Sequence, residues 1–304
     1  MPEETGADRD SSDVAALYEK LTRSAKDIQE KVTSDQVIVP SSILADLHAV
    51  IDRNLIQPLF EHAMSNPGDW REVPVHSVDE VLASLMVGRG MGYDRKRLLE
   101  LGLAAFLENV GMYRIPEGIL EKPAKLEPEE IERIREHPEA SAKILSRLGE
   151  RYEWLAEVAL QVHERADGSG YPRGLKGSEI SEAASIIGLV DTYVAMIRRR
   201  AYRDRILQPD AIRFILKEAK VQFSTKTLKA FLNSISLFPF NTYVKLNNKS
   251  IGRVISTDRN HPLRPTVQVL YDGLGNKPEQ REIVRLSDNP LLYIVETVDD
   301  RDLK

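Results

Sequence analysis

From Val75 to Leu237 the sequence carries helical periodicity with few interruptions, and after Phe238-Pro239-Phe240 that periodicity stops. This one change of pattern limits the possible folds more than any other feature. Apolar residues recurring at i, i+3, i+4 and i+7 mark helices that bury one face. The spacing predicts helices over about 75–88, 95–109, 128–148, 152–165, 181–197, 209–220 and 225–234. Asp94 is placed to cap the second of these. Glu127-Pro128-Glu129-Glu130 reads as an acidic helix start with proline in the first turn. Beyond Phe240, β-branched runs around Tyr243, Lys245 and Leu246, around Ile251, Val254 and Ile255, and around Val267, Val269 and Leu270 alternate with Asn-, Asp- and Gly-rich turns. Such runs predict strands. The expected fold is mainly α, with a small β-rich domain at the C-terminal end.

Upstream, residues 13–66 also carry helical spacing, in Leu17, Leu21 and Ala25 and then in Leu44, His48 and Ile51. Asn66-Pro67-Gly68-Asp69 breaks the pattern. This stretch reads as an N-terminal helical segment for docking or for a homodimer. Residues 1–12 are too polar to bury anything and read as a disordered leader. The expected boundaries are therefore 1–12, 13–66, 70–237 and 239–304. The chain has no cysteine, which excludes a disulfide framework, a thiolate metal site and a cysteine nucleophile. A net charge of −5 argues against nucleic-acid polymers and acidic membrane surfaces as partners. No apolar run approaches the ~20 residues needed to span a bilayer. The acidic start is unlike a secretory signal, so the expected location is the cytoplasm. Any metal or acid–base site must then draw on six histidines and the carboxylates.

Several of those groups fall on apolar helical faces. His76 opens the helix carrying Val78, Val81, Leu82 and Leu85. The stripe Leu98, Leu101, Ala105 continues to Glu108 and Asn109. His137 shares a face with Ile131 and Ile134, His163 with Leu155 and Ala159, and Asp191 with Ile187. Taken singly, each has a structural reading: a helix end reaching solvent for Glu108, a satisfied core histidine for His137. Taken together they bring imidazole and carboxylate inward from several helices, a usual way to hold a divalent metal. His48 reads as structural, and His62 and His261 as exposed.

The segment His163-Glu164-Arg165-Ala166-Asp167-Gly168-Ser169-Gly170-Tyr171-Pro172 is long and specific. Together with Arg114-Ile115-Pro116-Glu117-Gly118-Ile119-Leu120, Lys122-Pro123, Glu136-His137-Pro138, Asp191-Thr192-Tyr193-Val194-Ala195 and Arg200-Ala201-Tyr202-Arg203, it closely resembles the HD-GYP branch of the HD phosphohydrolase superfamily. The resemblance runs from about Glu72 to Phe231, and the β-rich tail resembles one often appended to this domain. It implies an HD-domain helical bundle. Members are bacterial phosphodiesterases that hydrolyse cyclic di-GMP. Two or three iron or manganese ions in the core polarise the phosphate and activate water. The Asp of a His-Asp doublet bridges the metals, and a Lys shortly after it assists at the phosphate.

Residue by residue, the resemblance makes His76, His137, His163 and Asp191 metal ligands, with Glu72 where some members have an extra carboxylate. Four central positions depart from the pattern. The doublet is Glu108-Asn109, the lysine is Met112, and Val162 replaces the first histidine of a pair. Asn109 is neutral and a poor bridge between cations, and Met112 offers phosphate neither charge nor hydrogen bond. Glu108 still has ligand oxygens, so one metal on His76, Glu108 and Asp191 stays open. The motif loop is complete. The resemblance assigns Gly168, Ser169, Gly170, Tyr171 and Pro172 to nucleotide binding, with Tyr171 offering a face to guanine and the glycines close backbone approach. It assigns Arg200 and Arg203 to the nucleotide phosphates, and Arg198 and Arg199 add to that basic run. A solvated helix end is the plainer reading of the same arginines. The loop is also implicated in docking to GGDEF-type cyclase domains. The expected protein is a degenerate, catalytically inactive HD-GYP signalling protein. It would bind cyclic di-GMP or a protein partner, with iron or manganese at reduced occupancy. The alternatives are an active phosphodiesterase with a metal site rearranged among His76, Glu108, His137, His163 and Asp191, and a pure interaction scaffold.

Overall fold

Helices form at each expected place, and local chemistry decides where each one stops. The computed structural model describes residues 6–65, 73–198, 206–218, 220–236, 238, 240–257, 261, 263–299 and 303. The chain opens with α1 (Gly6–Thr33), α2 (Pro40–Asp52) and α3 (Ile56–Ser65). Then come α4 (Val73–Gly90), α5 (Arg95–Leu107), a 3-10 segment over Glu108–Arg114 and the short α6 (Glu117–Leu120). The stretch expected as one helix over 128–148 is two, α7 (Pro128–Arg135) and α8 (His137–Leu145). Pro138 cannot donate to the preceding turn and sits instead in the first turn of α8. α9 (Glu153–Gln161) stops short of the expected 165, which releases His163 into the motif loop. α10 (Glu182–Ile197), α11 (Gln208–Glu218) and α12 (Thr225–Ser234) complete the helical part. Asp94 caps α5 as expected, accepting from the Arg97 N–H at 2.8 Å.

The expected disordered leader is corrected in part. α1 begins at Gly6, because a helix nucleated at the apolar residues from Val14 onward extends outward at little cost. Residues 1–5 lie outside the described residues. The apolar stripe of α1, namely Val14, Leu17, Leu21, Ala25, Ile28 and Val32, is buried against the rest of the chain. Each large apolar side chain so buried contributes about 1.5–3 kcal/mol. The stripe is thus spent inside the chain. One continuous core runs from Val14 to Ile235, so residues 13–66 and the following helices share it. α4 lies at its centre, in contact with α1, α3, α5, α10 and α12. A helix covered on all sides has few places for charge, yet Asp79 and Glu80 are both fully buried on it.

The β-rich domain is one antiparallel sheet of β1 (Tyr243–Leu246), β2 (Ile251–Ser256), β3 (Thr266–Tyr271), β4 (Glu282–Arg285) and β5 (Ile294–Val298), in the order β4-β3-β2-β1-β5. Val244, Leu246, Val254 and Val267 alternate inward and pack with Phe238 and Leu286. The edge strands β4 and β5 escaped the sequence reading because they are short and bury no residue fully. No described helix is long and apolar enough to cross a membrane.

Candidate metal centre

Two groups of ligand-type side chains converge beneath the motif loop. In the first, His76 and Glu80 stand one turn apart on α4, and Asp191 reaches them from α10. His76 Nε2 lies 2.9 Å from Asp191 Oδ1 and 3.7 Å from Glu80 Oε2. The second contains Glu108, where α5 tightens into the 3-10 segment, His137 at the start of α8, and His163 just beyond α9. Within each group, one ligand atom per residue lies within 4.8 Å of the others. Two glycines permit this convergence. A Cβ on Gly111 would stand 2.1 Å from the His137 carbonyl oxygen, and one on Gly188 2.1 Å from that of Val162. Only bare backbone lets the 3-10 segment approach α8, and α10 approach the end of α9.

The imidazoles are set for ligation. His137 Nδ1–H donates to the Ile134 carbonyl at 2.7 Å, which leaves Nε2 turned inward. A metal-ligating histidine characteristically uses its outer N–H in this way. His137 Nε2 faces His163 Nε2 at 2.9 Å. Burial pushes the His163 imidazole down to about 3, with the neighbouring His137 adding to the effect, and burial lowers His137 too. Both rings are therefore neutral at neutral pH, with the His137 Nε2 lone pair turned inward.

The carboxylates divide into two kinds. Burial would raise Asp191, but the His76 hydrogen bond, with the charges of His76 and Arg165, outweighs it and holds the carboxyl below its usual range. Glu80 and Glu108 go the other way. Burial, then the charges of Glu108 and Asp191, raises Glu80 well above the usual range, and burial followed by Asp191 raises Glu108. Both Glu108 oxygens and Glu80 Oε1 find no donor among the described residues, and the Glu80 and Glu108 carboxyls lie against each other. Leaving such groups unmet is costly in a metal-free protein. Orphaned oxygens beside neutral imidazoles are the donor set that a divalent cation satisfies.

A stability measurement reads the same arrangement. A folded pKa above the unfolded one gives a contribution that is full below the unfolded value of about 4.5 and is lost as pH rises through the folded value. In chelator-treated protein, Glu108→Gln is therefore expected to melt higher than wild type. The gap should widen from about pH 5 to pH 8 toward about 1–3 kcal/mol. A gap that stays constant or narrows with pH would contradict the buried, uncompensated carboxyl.

The motif loop is pinned to this centre. Glu164, only 3% exposed, accepts from the Arg173 N–H at 2.7 Å and the Leu175 N–H at 2.9 Å. Asp167 Oδ1 accepts from the Ser169 N–H and Oγ–H at 2.9 and 2.6 Å. The Tyr171 ring stacks on His163, centroids 5.0 Å apart and planes 5° from parallel, with the Arg135 guanidinium 5.4 Å from its centre. His163 thus covers one face of the Tyr171 ring, because the histidine sits directly behind the loop.

Other expectations change too. The open grouping of His76, Glu108 and Asp191 is replaced: Glu80 joins His76 and Asp191, while Glu108 turns to the other two histidines. Val162 is fully buried in the apolar core. Arg198, read as part of an exposed basic run, is 4% exposed and paired with the buried Asp79. Glu72, Arg200 and Arg203 lie outside the described residues. His62 is half-buried, its ring 5.2 Å from that of Tyr18. Glu80 was missed by sequence reasoning, although its spacing of four from His76 puts both on one helical face.

The sequence matches the family described as HD domain over residues 69–226. It also matches the one described as KOW domain associated with HD domain over residues 243–304. The chain is similar to cyclic di-GMP phosphodiesterase PdeB of Borreliella burgdorferi, 32% identical over 196 residues, covering 64% of this chain and 52% of that one. It is similar to a cyclic di-GMP phosphodiesterase of Thermotoga maritima, 36% identical over 167 residues, covering 54% of this chain and 45% of that one. The chain spans about half the length of the curated relatives it matches. Its fold is like that of an HDG"Y"P protein from Bdellovibrio bacteriovorus, with a TM-score of 0.61 at 14% identity over 75% of this chain and 73% of that one.

Proposed function

This chain belongs to the HD domain family, in its HD-GYP branch, and on that premise we propose that it is a signalling protein that binds cyclic di-GMP at a metal-bearing pocket without hydrolysing it. The observation that carries the reading is the state of position 109. Asn109 Nδ2–H donates to Glu80 Oε2 at 3.1 Å, so a neutral amide stands where the family's bridging aspartate would be. Met112 adds no charge or hydrogen bond at the phosphate. The ligand groups His76, Glu80, Asp191 and Glu108, His137, His163 would hold a divalent metal. Imidazole nitrogen mixed with carboxylate oxygen suits iron or manganese. When bound, the metal supplies positive charge to a phosphate oxygen. His163 and Tyr171 form the wall of the pocket, Arg135 brings a cation to it, and Glu164 holds the loop above it. Arg200 and Arg203 complete the phosphate contacts on this reading, and the loop tip at Gly168-Ser169, with Ser169 exposed, is the place for a GGDEF-type partner.

Cyclic di-GMP titrated calorimetrically into manganese-loaded protein should bind. The same mixture, held for hours with manganese or ferrous iron, should yield no linear dinucleotide or GMP by chromatography. Metal-dependent turnover would replace this reading with an active phosphodiesterase. The three carboxylates Glu80, Glu108 and Asp191, the first two fully buried, specifically favour that second reading, since they offer more anionic ligand than a dismantled site requires.

A further inference from the structure

The carboxylate lost at position 109 has a neighbour of the right kind. Glu80 reaches from α4 to the Asn109 amide and stands 3.7 Å from His76 Nε2. It is fully buried, and its Oε1 finds no donor among the described residues. We propose that Glu80 is a metal ligand that takes over the role of the missing aspartate, with Asn109 as the residue that positions it. The proposal rests on the reading of this pocket as metal-bearing.

Three features point the same way. Holding Asn109 requires only one acceptor oxygen, which a neutral glutamine would supply equally well. Asn109 alone therefore does not account for an ionisable acid at position 80. A carboxylate, Glu80, touches the position where the resemblance places the bridging aspartate, and its attachment is to α4 and not to the 3-10 segment. The new attachment is also rigid. His76 and Glu80 project from one face of a helix packed on several sides, which fixes both ligands before any cation arrives. The Asn109 N–H on Oε2 then acts as the outer-shell hydrogen bond that orients a ligating carboxylate. The site is on this view rebuilt, with His76, Glu80 and Asp191 on one side and Glu108, His137 and His163 on the other.

The test is manganese(II) titration into the chelator-stripped 304-residue chain, read by calorimetry and by metal content after desalting. Glu80→Gln keeps the shape and the acceptor for Asn109. It should lower manganese affinity at least about 100-fold, beyond the usual cost of losing an outer-shell partner. It should also abolish the manganese-dependent rise in Tm while melting no lower than wild type without metal. The double variant Glu80→Gln/Asn109→Asp returns the carboxylate to the 3-10 segment and should bind within about tenfold of wild type. A Glu80→Gln protein that loads manganese like wild type would overturn the assignment. A folded double variant that fails to recover would overturn the exchange of roles. If wild type and every variant load no manganese or ferrous iron, the metal-bearing reading itself falls, and Glu80 with it.

Discussion

Asp79→Ala should cost about 3–5 kcal/mol, the usual penalty for orphaning one partner of a buried ion pair. For a chain of this size that is roughly a 10 °C drop in Tm. Asp79 is fully buried and pairs with Arg198, itself 4% exposed. Tyr18 Oη–H donates to Asp79 Oδ1 at 2.7 Å. One carboxylate thus ties α1, α4 and the end of α10 together. Removing it leaves a guanidinium inside the protein with its main counter-charge gone. Replacing both members by apolar residues, as in Asp79→Leu/Arg198→Met, should be far milder, because no isolated charge then remains. Melts of wild type and the two variants decide it. A single variant within 2 °C of wild type would show that water reaches the pair in solution.

His163→Ala is expected to reduce divalent-metal affinity by at least about 100-fold, judged against the 10–100-fold cost of weaker outer-shell changes. His163 does two jobs. It donates a neutral nitrogen to the group with Glu108 and His137, and it is the surface on which Tyr171 stacks. The variant should therefore lose metal and cyclic di-GMP together, and the near-ultraviolet signal of Tyr171 should change. Metal content, calorimetry and circular dichroism read the three effects. Retention of metal at the wild-type level would remove His163 from the ligand set.

Much of this protein is legible one residue at a time. The spacing of Leu17, Leu21 and Ala25, the cap at Asp94 and the turn residues after Leu246 each act over a few positions, so helices, caps and strands follow from local pattern. His76, His137, His163 and Asp191 stood out for a related reason: a polar group on an apolar helical face is an anomaly within its own segment. Helix ends were less legible. The break at Pro138 and the early end of α9 depend on where the chain turns to pack.

The partners of those residues were not legible, because they are set across the bundle. Glu80 drew no notice next to Asp79 until α4 was seen to be covered on every side. Arg198 looked exposed beside three other arginines until Asp79 was found beneath it. Glu108 paired with His137 and His163, and not with His76, because Gly111 brings the 3-10 segment against α8. Periodicity tells which face of a helix turns inward, since that depends only on 3.6 residues per turn. Which inward groups meet depends on how close two backbones come. Here that was decided by the packing of α4, α8 and α10, at glycines whose purpose appears only when the neighbouring carbonyl is in place.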